Sequence, residues 1–228
     1  MPSRLRPTAS VAADAILVGD PGRALLLAQE LLERPKMSNH ARGLWGYSGS
    51  TPGGRDLTIQ ATGMGGPSAA IVLADLAKLG VSRAIRVGTC TGFAGRSELG
   101  ELLLVAEAVA AGGSAASFGL AAGARLAPDR ALYERLRDEL GGVSRTAAVA
   151  SLDTPPADPG ALPPGIAAAD MQTAVVISRG RELGLAVAAV LAVSQVGGET
   201  AEDEHLQSAS VKAGLAAAEA LANPKVEG

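Results

Sequence analysis

A single cysteine, Cys90, occurs in 228 residues, so no intrachain disulfide can form and a cysteine-based zinc site has too few ligands. Nothing in the chain requires an oxidising compartment. Aromatic residues are almost as scarce, with two Phe, two Tyr and one Trp. Because 47% of the residues are nevertheless hydrophobic, the core must be aliphatic and closely spaced, and disorder is excluded as the main state. Positive charge is not in excess either. Twenty Lys and Arg against 23 Asp and Glu give a formal charge of −3, which argues against a nucleic-acid binder relying on a broad basic face. A small-molecule ligand fits better. The opening MPSRLRPTAS lacks the apolar stretch of a secretory leader, and the longest nearly unbroken apolar run, Leu183 to Val193, is about half a membrane span. These absences lead us to expect a soluble cytoplasmic protein with no membrane and no nucleic-acid partner. The length suits one domain over residues 1–228, and neither an internal repeat nor a heptad seam is evident.

What is present is an alternation of short apolar runs with longer helix-like segments, the pattern of a βαβ fold. Ala15–Val18, Leu57–Ala61, Ala84–Val87, Leu102–Ala108, Ala147–Ser151 and Ala186–Val193 read as strands. Helices are expected at about Arg23–Glu33, from Pro67 through Leu79, and at Arg130–Leu140, Thr173–Leu183 and Glu202–Ala222. The expected architecture is α/β, with a largely parallel sheet flanked by helices. Ser151–Pro164, with five prolines, reads as an irregular surface loop.

Ligands of open α/β sheets settle outside the carboxyl ends of the strands, where three glycine-containing turns are expected: Gly19–Gly22, Gly63–Gly66 and Gly88–Gly92. Glycine lets a backbone approach an anion closely, and a following helix N-terminus adds partial positive charge. Arg23 lies just after the first segment, and Arg86 sits inside an apolar strand two residues before Gly88. A buried arginine needs partners for its fork, and a bound oxyanion is one; Thr89 could add a hydroxyl. The competing reading pairs Arg86 with a structural carboxylate and leaves Arg23 a solvated helix residue. The Gly63-x-Gly65 turn fails the dinucleotide fingerprint, because Pro67 and Ser68 stand where a third glycine belongs.

The segment TIQATGMGGPSAAIVLADLAKLGVSRAIRVGTCTG (58–92), with VGDPGRA (18–24) and ARGLWGYSGST (41–51), resembles the nucleoside phosphorylase family of purine nucleoside and uridine phosphorylases. The likeness is close over about residues 14–110 and looser at 168–174 and 186–195. It implies a single α/β domain around a mixed, partly barrel-like sheet. It also implies cleavage of a nucleoside N-glycosidic bond by inorganic phosphate as co-substrate, with no other cofactor and no metal. Carried over, it assigns Gly19, Arg23, Arg86 and Thr89 to phosphate, Met64, Met171 and Gln172 to the sugar, and Cys90, Thr91 and Gln195 to the base. Arg86 and Gln195 become the candidate catalytic residues. Arg42 matches an arginine that reaches the phosphate of a neighbouring subunit, in a homo-oligomer that is a dimer or a hexamer built from dimers; a solvated loop charge is the lesser reading.

The chain departs from the family at several points. The Glu-Met-Glu sugar motif is here Asp170-Met171-Gln172, and a neutral amide in place of a carboxylate weakens a charge-assisted bond by roughly 1 kcal/mol. Gln195 replaces the Asp or Arg expected after the last strand, and glutamine cannot act as a general acid. No histidine occurs in residues 1–18; His40 and His205 are the only two, and His205 reads as a solvated helix residue or a substitute acid. Ser151–Pro164 lacks the Gln and Arg base contacts of uridine enzymes. The leading expectation is a phosphorylase acting on an atypical nucleoside. A non-catalytic relative binding a phosphorylated metabolite is the alternative, and a hydrolase ranks third because water needs no arginine cradle. On this reading Arg86→Ala abolishes phosphate use and spares the fold, provided the strand does not use the charge structurally.

Overall fold

The apolar runs form strands whose alternate residues are buried on opposite faces, which is why they read as continuous rather than alternating. In β1 (Asp14–Val18), Leu17 enters one aliphatic core, whereas Ile16 and Val18 enter a second core behind the sheet. The computed structural model describes residues 4–154, 162 and 164–222. The first core is covered by α2 (Gly65–Lys78) and α5 (Thr173–Glu182), the second by α1 (Pro21–Leu31), α4 (Arg130–Leu140) and α6 (Asp203–Ala222).

Local sequence explains the helix boundaries. Asp20 caps α1 by accepting a hydrogen bond from the Arg23 N–H at 2.8 Å, with Pro21 in the first turn. The buried face of α1 is Ala24, Leu27, Ala28 and Leu31, the spacing of one helical stripe. Asp129 caps α4 in the same way through Leu132 N–H. The alanine-rich α6 lies close to α1, and at Gly214 an added Cβ would stand 2.8 Å from Leu27 Cδ2.

Five strands close on themselves. β5 (Arg83–Gly92) pairs with β10 (Ala186–Val196), which pairs with β6 (Leu102–Ala110); β6 pairs with β8 (Ser144–Ser151), β8 with β9 (Ile166–Asp170), and β9 returns to β5. The sheet is therefore mixed and partly a barrel, as the family resemblance implied. From β5 it continues outward through β1, β4 (Asp56–Ala61), β3 (Gly46–Ser50) and β2 (Glu33–Asn39). Short elements complete it: α3 (Gly113–Ala116), β7 (Arg125–Leu126) and β11 (Glu199–Thr200).

One edge of β5 changes partner midway. Asp14–Leu17 of β1 pair with Arg83–Arg86, whereas β9 takes up the same strand only at Thr91 and Gly92. Among the described residues, 87–90 have no strand beside them on that edge. The sheet splits there, and loops from both halves converge on the gap.

Several sequence expectations need correction. Gly88–Gly92 is not a turn but the continuation of β5, paired along β10. Gly88 is required by packing: a Cβ there would lie 2.7 Å from Arg86 Cζ and 2.8 Å from Leu191 Cδ2. The β2–β3 hairpin was not foreseen, because ERPKMSN is polar and mostly exposed and Arg34 takes a left-handed φ of 47°. Nor was β9, whose IAAAD has weak strand propensity and is held extended by neighbours on both sides. β10 runs on through Val196, so Gln195 lies within it rather than after it. Ser151 ends β8, and residues 155–161 and 163 of the expected proline loop lie outside the described residues.

Candidate functional site

A cavity of about 210 Å³ opens at the split in the sheet. Gly19 follows β1, Gly63–Gly65 follow β4, Gly88–Thr91 come from β5, and Asp170–Gln172 join β9 to α5, so every wall is the carboxyl end of a strand. Of the residues assigned to phosphate, the structure brings Gly19, Arg23, Arg86 and Thr89 to this cavity. It also brings Met64, Met171 and Gln172 from the sugar set, and Cys90 and Thr91 from the base set.

Two assigned residues stand elsewhere. Arg42 is exposed, holds a left-handed φ of 62°, and does not line the cavity. Gln195 is exposed and its amide donates to Thr200 Oγ1 at 3.4 Å. A bulge between Val193 and Gln195 turns Ser194 to the cavity instead, with its hydroxyl donating to the Cys90 carbonyl at 3.0 Å. Gln195 is thus corrected from a lining residue to an exposed one, and the register of β10 alone gave no sign of the bulge. His205 lines a separate cavity with Leu99, Val143 and Lys212 and cannot serve here as a substitute acid.

The Arg86 side chain is held by the protein itself. Its Nε donates to Thr173 Oγ1 at 3.1 Å, Nη1 to Gln172 Oε1 at 2.8 Å and Nη2 to Asp170 Oδ2 at 2.9 Å. Both readings of Arg86 therefore meet in one residue: a structural carboxylate pairs it, yet it lines the cavity. A guanidinium has five N–H donors, so two remain for a ligand. Asp170 is satisfied in turn by the Ser151 hydroxyl at 2.5 Å and by the N–H and hydroxyl of Thr173 at 3.0 and 2.6 Å. Sequence reasoning missed Asp170, Ser151 and Thr173 as a group; the only signal was the need of a strand arginine for a carboxylate.

Arg23 differs. Among the described residues no protein acceptor engages its fork, although Asp20 stands near enough to interact. Burial lowers the Arg23 pKa, Asp20 raises it, and the like charge of Arg86 lowers it again. Arg23, Arg86 and Asp170 are the charged residues lining the cavity, which leaves it one positive charge in excess. Cys90 is buried, and burial followed by Asp170 pushes its thiol pKa up, so it remains a neutral thiol.

The phosphorylase superfamily model matches residues 14–223. The chain belongs to the phosphorylase superfamily. Among curated relatives, a DeoD-type purine nucleoside phosphorylase of Clostridium beijerinckii is 37% identical over 103 residues, 45% of this chain and 43% of that one. A second, from Oceanobacillus iheyensis, is 48% identical over 80 residues, 34% of each chain. The chain thus spans less than half the length of the curated relatives it matches. In three dimensions it is similar to a uridine phosphorylase of Vibrio fischeri crystallised with 6-hydroxy-1-naphthoic acid. The TM-score is 0.81 at 24% identity, over 93% of this chain and 92% of that one. At that identity the likeness speaks for the superfamily fold. Among the described residues no helix is long and apolar enough to cross a membrane.

Proposed function

We propose that the protein cleaves the N-glycosidic bond of a nucleoside with inorganic phosphate, giving free base and a pentose 1-phosphate. The observation that carries this reading is the Arg23 fork, without a protein acceptor, beside the two remaining N–H groups of Arg86 in a glycine-walled cavity. A phosphate seated there meets the positive charges of Arg23 and Arg86, and Thr89 adds a hydroxyl. The phosphorylase names of the relatives are consistent with it.

In the proposed reaction a phosphate oxygen forms a bond to the anomeric carbon while the carbon–nitrogen bond breaks and its electron pair leaves with the base. The dianion also offsets the oxocarbenium charge that develops on the sugar. Met64 and Met171 give the pentose an apolar wall. The departing base gains a proton from water at the Ser194, Cys90 and Thr91 end of the cavity. No metal or organic cofactor enters the scheme. The protein acts in the cytoplasm as a homo-oligomer, a dimer or a hexamer of dimers. There Arg42, turned outward by its left-handed backbone, supplies a third guanidinium to the neighbouring subunit's phosphate.

One observation favours the alternative of a binding protein without turnover. The Cys90 thiol is directed to the Ala192 carbonyl at 3.7 Å, the Ser194 hydroxyl donates to the Cys90 carbonyl and Asp170 is held in an ion pair, so none of the three has a proton placed for the leaving base. A panel of purine and pyrimidine nucleosides, assayed for free base and pentose 1-phosphate with and without phosphate, separates the readings. Phosphate-dependent base release is expected. Stabilisation by phosphate with a blank panel establishes the binder, and base release unaffected by omitting phosphate establishes a hydrolase. Arg23→Ala is expected to raise the phosphate KM about tenfold or more, the loss of a charged hydrogen bond, with the melting temperature nearly unchanged. An unaltered KM overturns the phosphate assignment.

A further inference from the structure

Gln172 is 3% exposed, and all its hydrogen-bonding positions are occupied by the protein. Its Oε1 accepts from Arg86 Nη1 at 2.8 Å and is faced at 3.1 Å by the Thr62 hydroxyl, whose single proton is shared with the Val18 carbonyl at 3.0 Å. Its Nε2 donates to the Gly63 carbonyl at 2.5 Å and to the Gly65 carbonyl at 3.3 Å. An amide oxygen has two lone pairs and an amide nitrogen two hydrogens, so no position is left for a ligand. The partners also dictate the side-chain type. Arg86 requires an acceptor, the two carbonyls require a donor, and an amide presents both. A carboxylate would set oxygen against the oxygens of Gly63 and Gly65.

The turn held in this way has little other freedom. Gly63 and Gly65 take left-handed φ values of 71° and 79°, and a Cβ at Gly63 would lie 2.7 Å from Ser68 Oγ. Between them Met64 is 85% exposed at the cavity wall. One neutral side chain therefore ties the arginine that faces the anion to the turn that carries Met64.

We propose that Gln172 is a positioning residue that couples anion binding at Arg86 to the setting of the 63–65 turn, rather than a contact to the sugar. An anion drawing on the free N–H groups of Arg86 fixes the guanidinium, the guanidinium fixes the amide, and the amide fixes the two carbonyls. Phosphate thereby arranges the Met64 wall before the second ligand arrives. Coupling of this kind is reciprocal: whatever orders the turn also tightens the anion. The inference rests on the phosphate reading of the cavity.

The test is hydrogen exchange at the backbone amides of residues 63–66, with and without saturating inorganic phosphate, together with the phosphate-induced shift in melting temperature. In the unaltered protein phosphate is expected to slow exchange at 63–66 about fivefold or more, the low end of ordinary coupling between sites. In Gln172→Met, which is neutral and of similar length, phosphate is expected still to raise the melting temperature but to change exchange at 63–66 by less than about twofold. Protection that persists in Gln172→Met means that phosphate touches the turn directly and overturns the proposal. Phosphate that binds the unaltered protein without protecting the turn overturns it while leaving the functional reading intact. Phosphate that does not bind at all overturns both. Should Gln172→Met fail to fold, Gln172→Leu supplies the same comparison, since it is also neutral and removes the donor to the turn.

Discussion

Arg86 and Asp170 meet at 2.9 Å with side chains 5% and 0% exposed, an ion pair that is a wall of the candidate site and part of the core at once. Removing one partner of such a pair strands the other charge away from water.

Arg86→Ala is therefore expected to cost about 3–5 kcal/mol of unfolding free energy, measured by urea denaturation, in addition to abolishing phosphate use. Pairing it with Asp170→Asn removes the stranded charge and is expected to restore a large part of the loss. A single variant as stable as the parent means that Asp170 is compensated by another group. The expectation that Arg86→Ala spares the fold therefore fails, because β5 uses the charge structurally, and Arg23→Ala is the cleaner probe of phosphate.

Gly88→Ala places a methyl group 2.7 Å from Arg86 Cζ and 2.8 Å from Leu191 Cδ2. The guanidinium must shift from its three partners, so a destabilisation of about 1–3 kcal/mol is expected, with weaker phosphate binding. Titration calorimetry of phosphate checks the second effect. Unchanged affinity shows that the fork has room to move without losing the anion.

The Cys90 thiol has a pKa raised by burial and by Asp170, so it keeps its proton in the folded chain where the unfolded chain loses it. Its contribution to stability is full below the unfolded value of about 8.5 and falls as pH rises beyond it. At about pH 8 a disulfide reagent should label Cys90 only as fast as the protein opens. Prompt labelling of the native protein contradicts the burial.

Asp153 carries the opposite shift. A hydrogen bond from the Ser114 hydroxyl lowers its carboxyl pKa, burial opposes this, and backbone N–H groups of Ser114 and Gly113 lower it further. The stability it supplies is present above the usual carboxylate range and is lost as pH falls through the depressed value. Ser114→Ala should move the Asp153 titration back up, read by carboxyl carbon NMR. An unmoved titration assigns the shift to the backbone groups.

The sequence by itself determined six of the strands, the five longer helices and the composition of the anion end. Apolar runs buried on both faces, the Asp20-Pro21 helix start and the glycine segments are local signals, and local signals survive in a linear string. It also brought Arg23, Arg86 and Thr89 to one place by resemblance. It could not show β9, because IAAAD is extended only through its neighbours, nor the bulge that exchanges Ser194 for Gln195. Above all, it left open what Arg86 and Gln172 do with their hydrogen bonds. Those partners lie 84 to 110 residues away along the chain, at Asp170, Thr62 and Gly63, and only the pairing of β4 with β1, β1 with β5 and β5 with β9 brings them within 3.1 Å. Hydrogen-bond capacity is exhausted or left free by geometry, and that geometry exists only in the folded sheet.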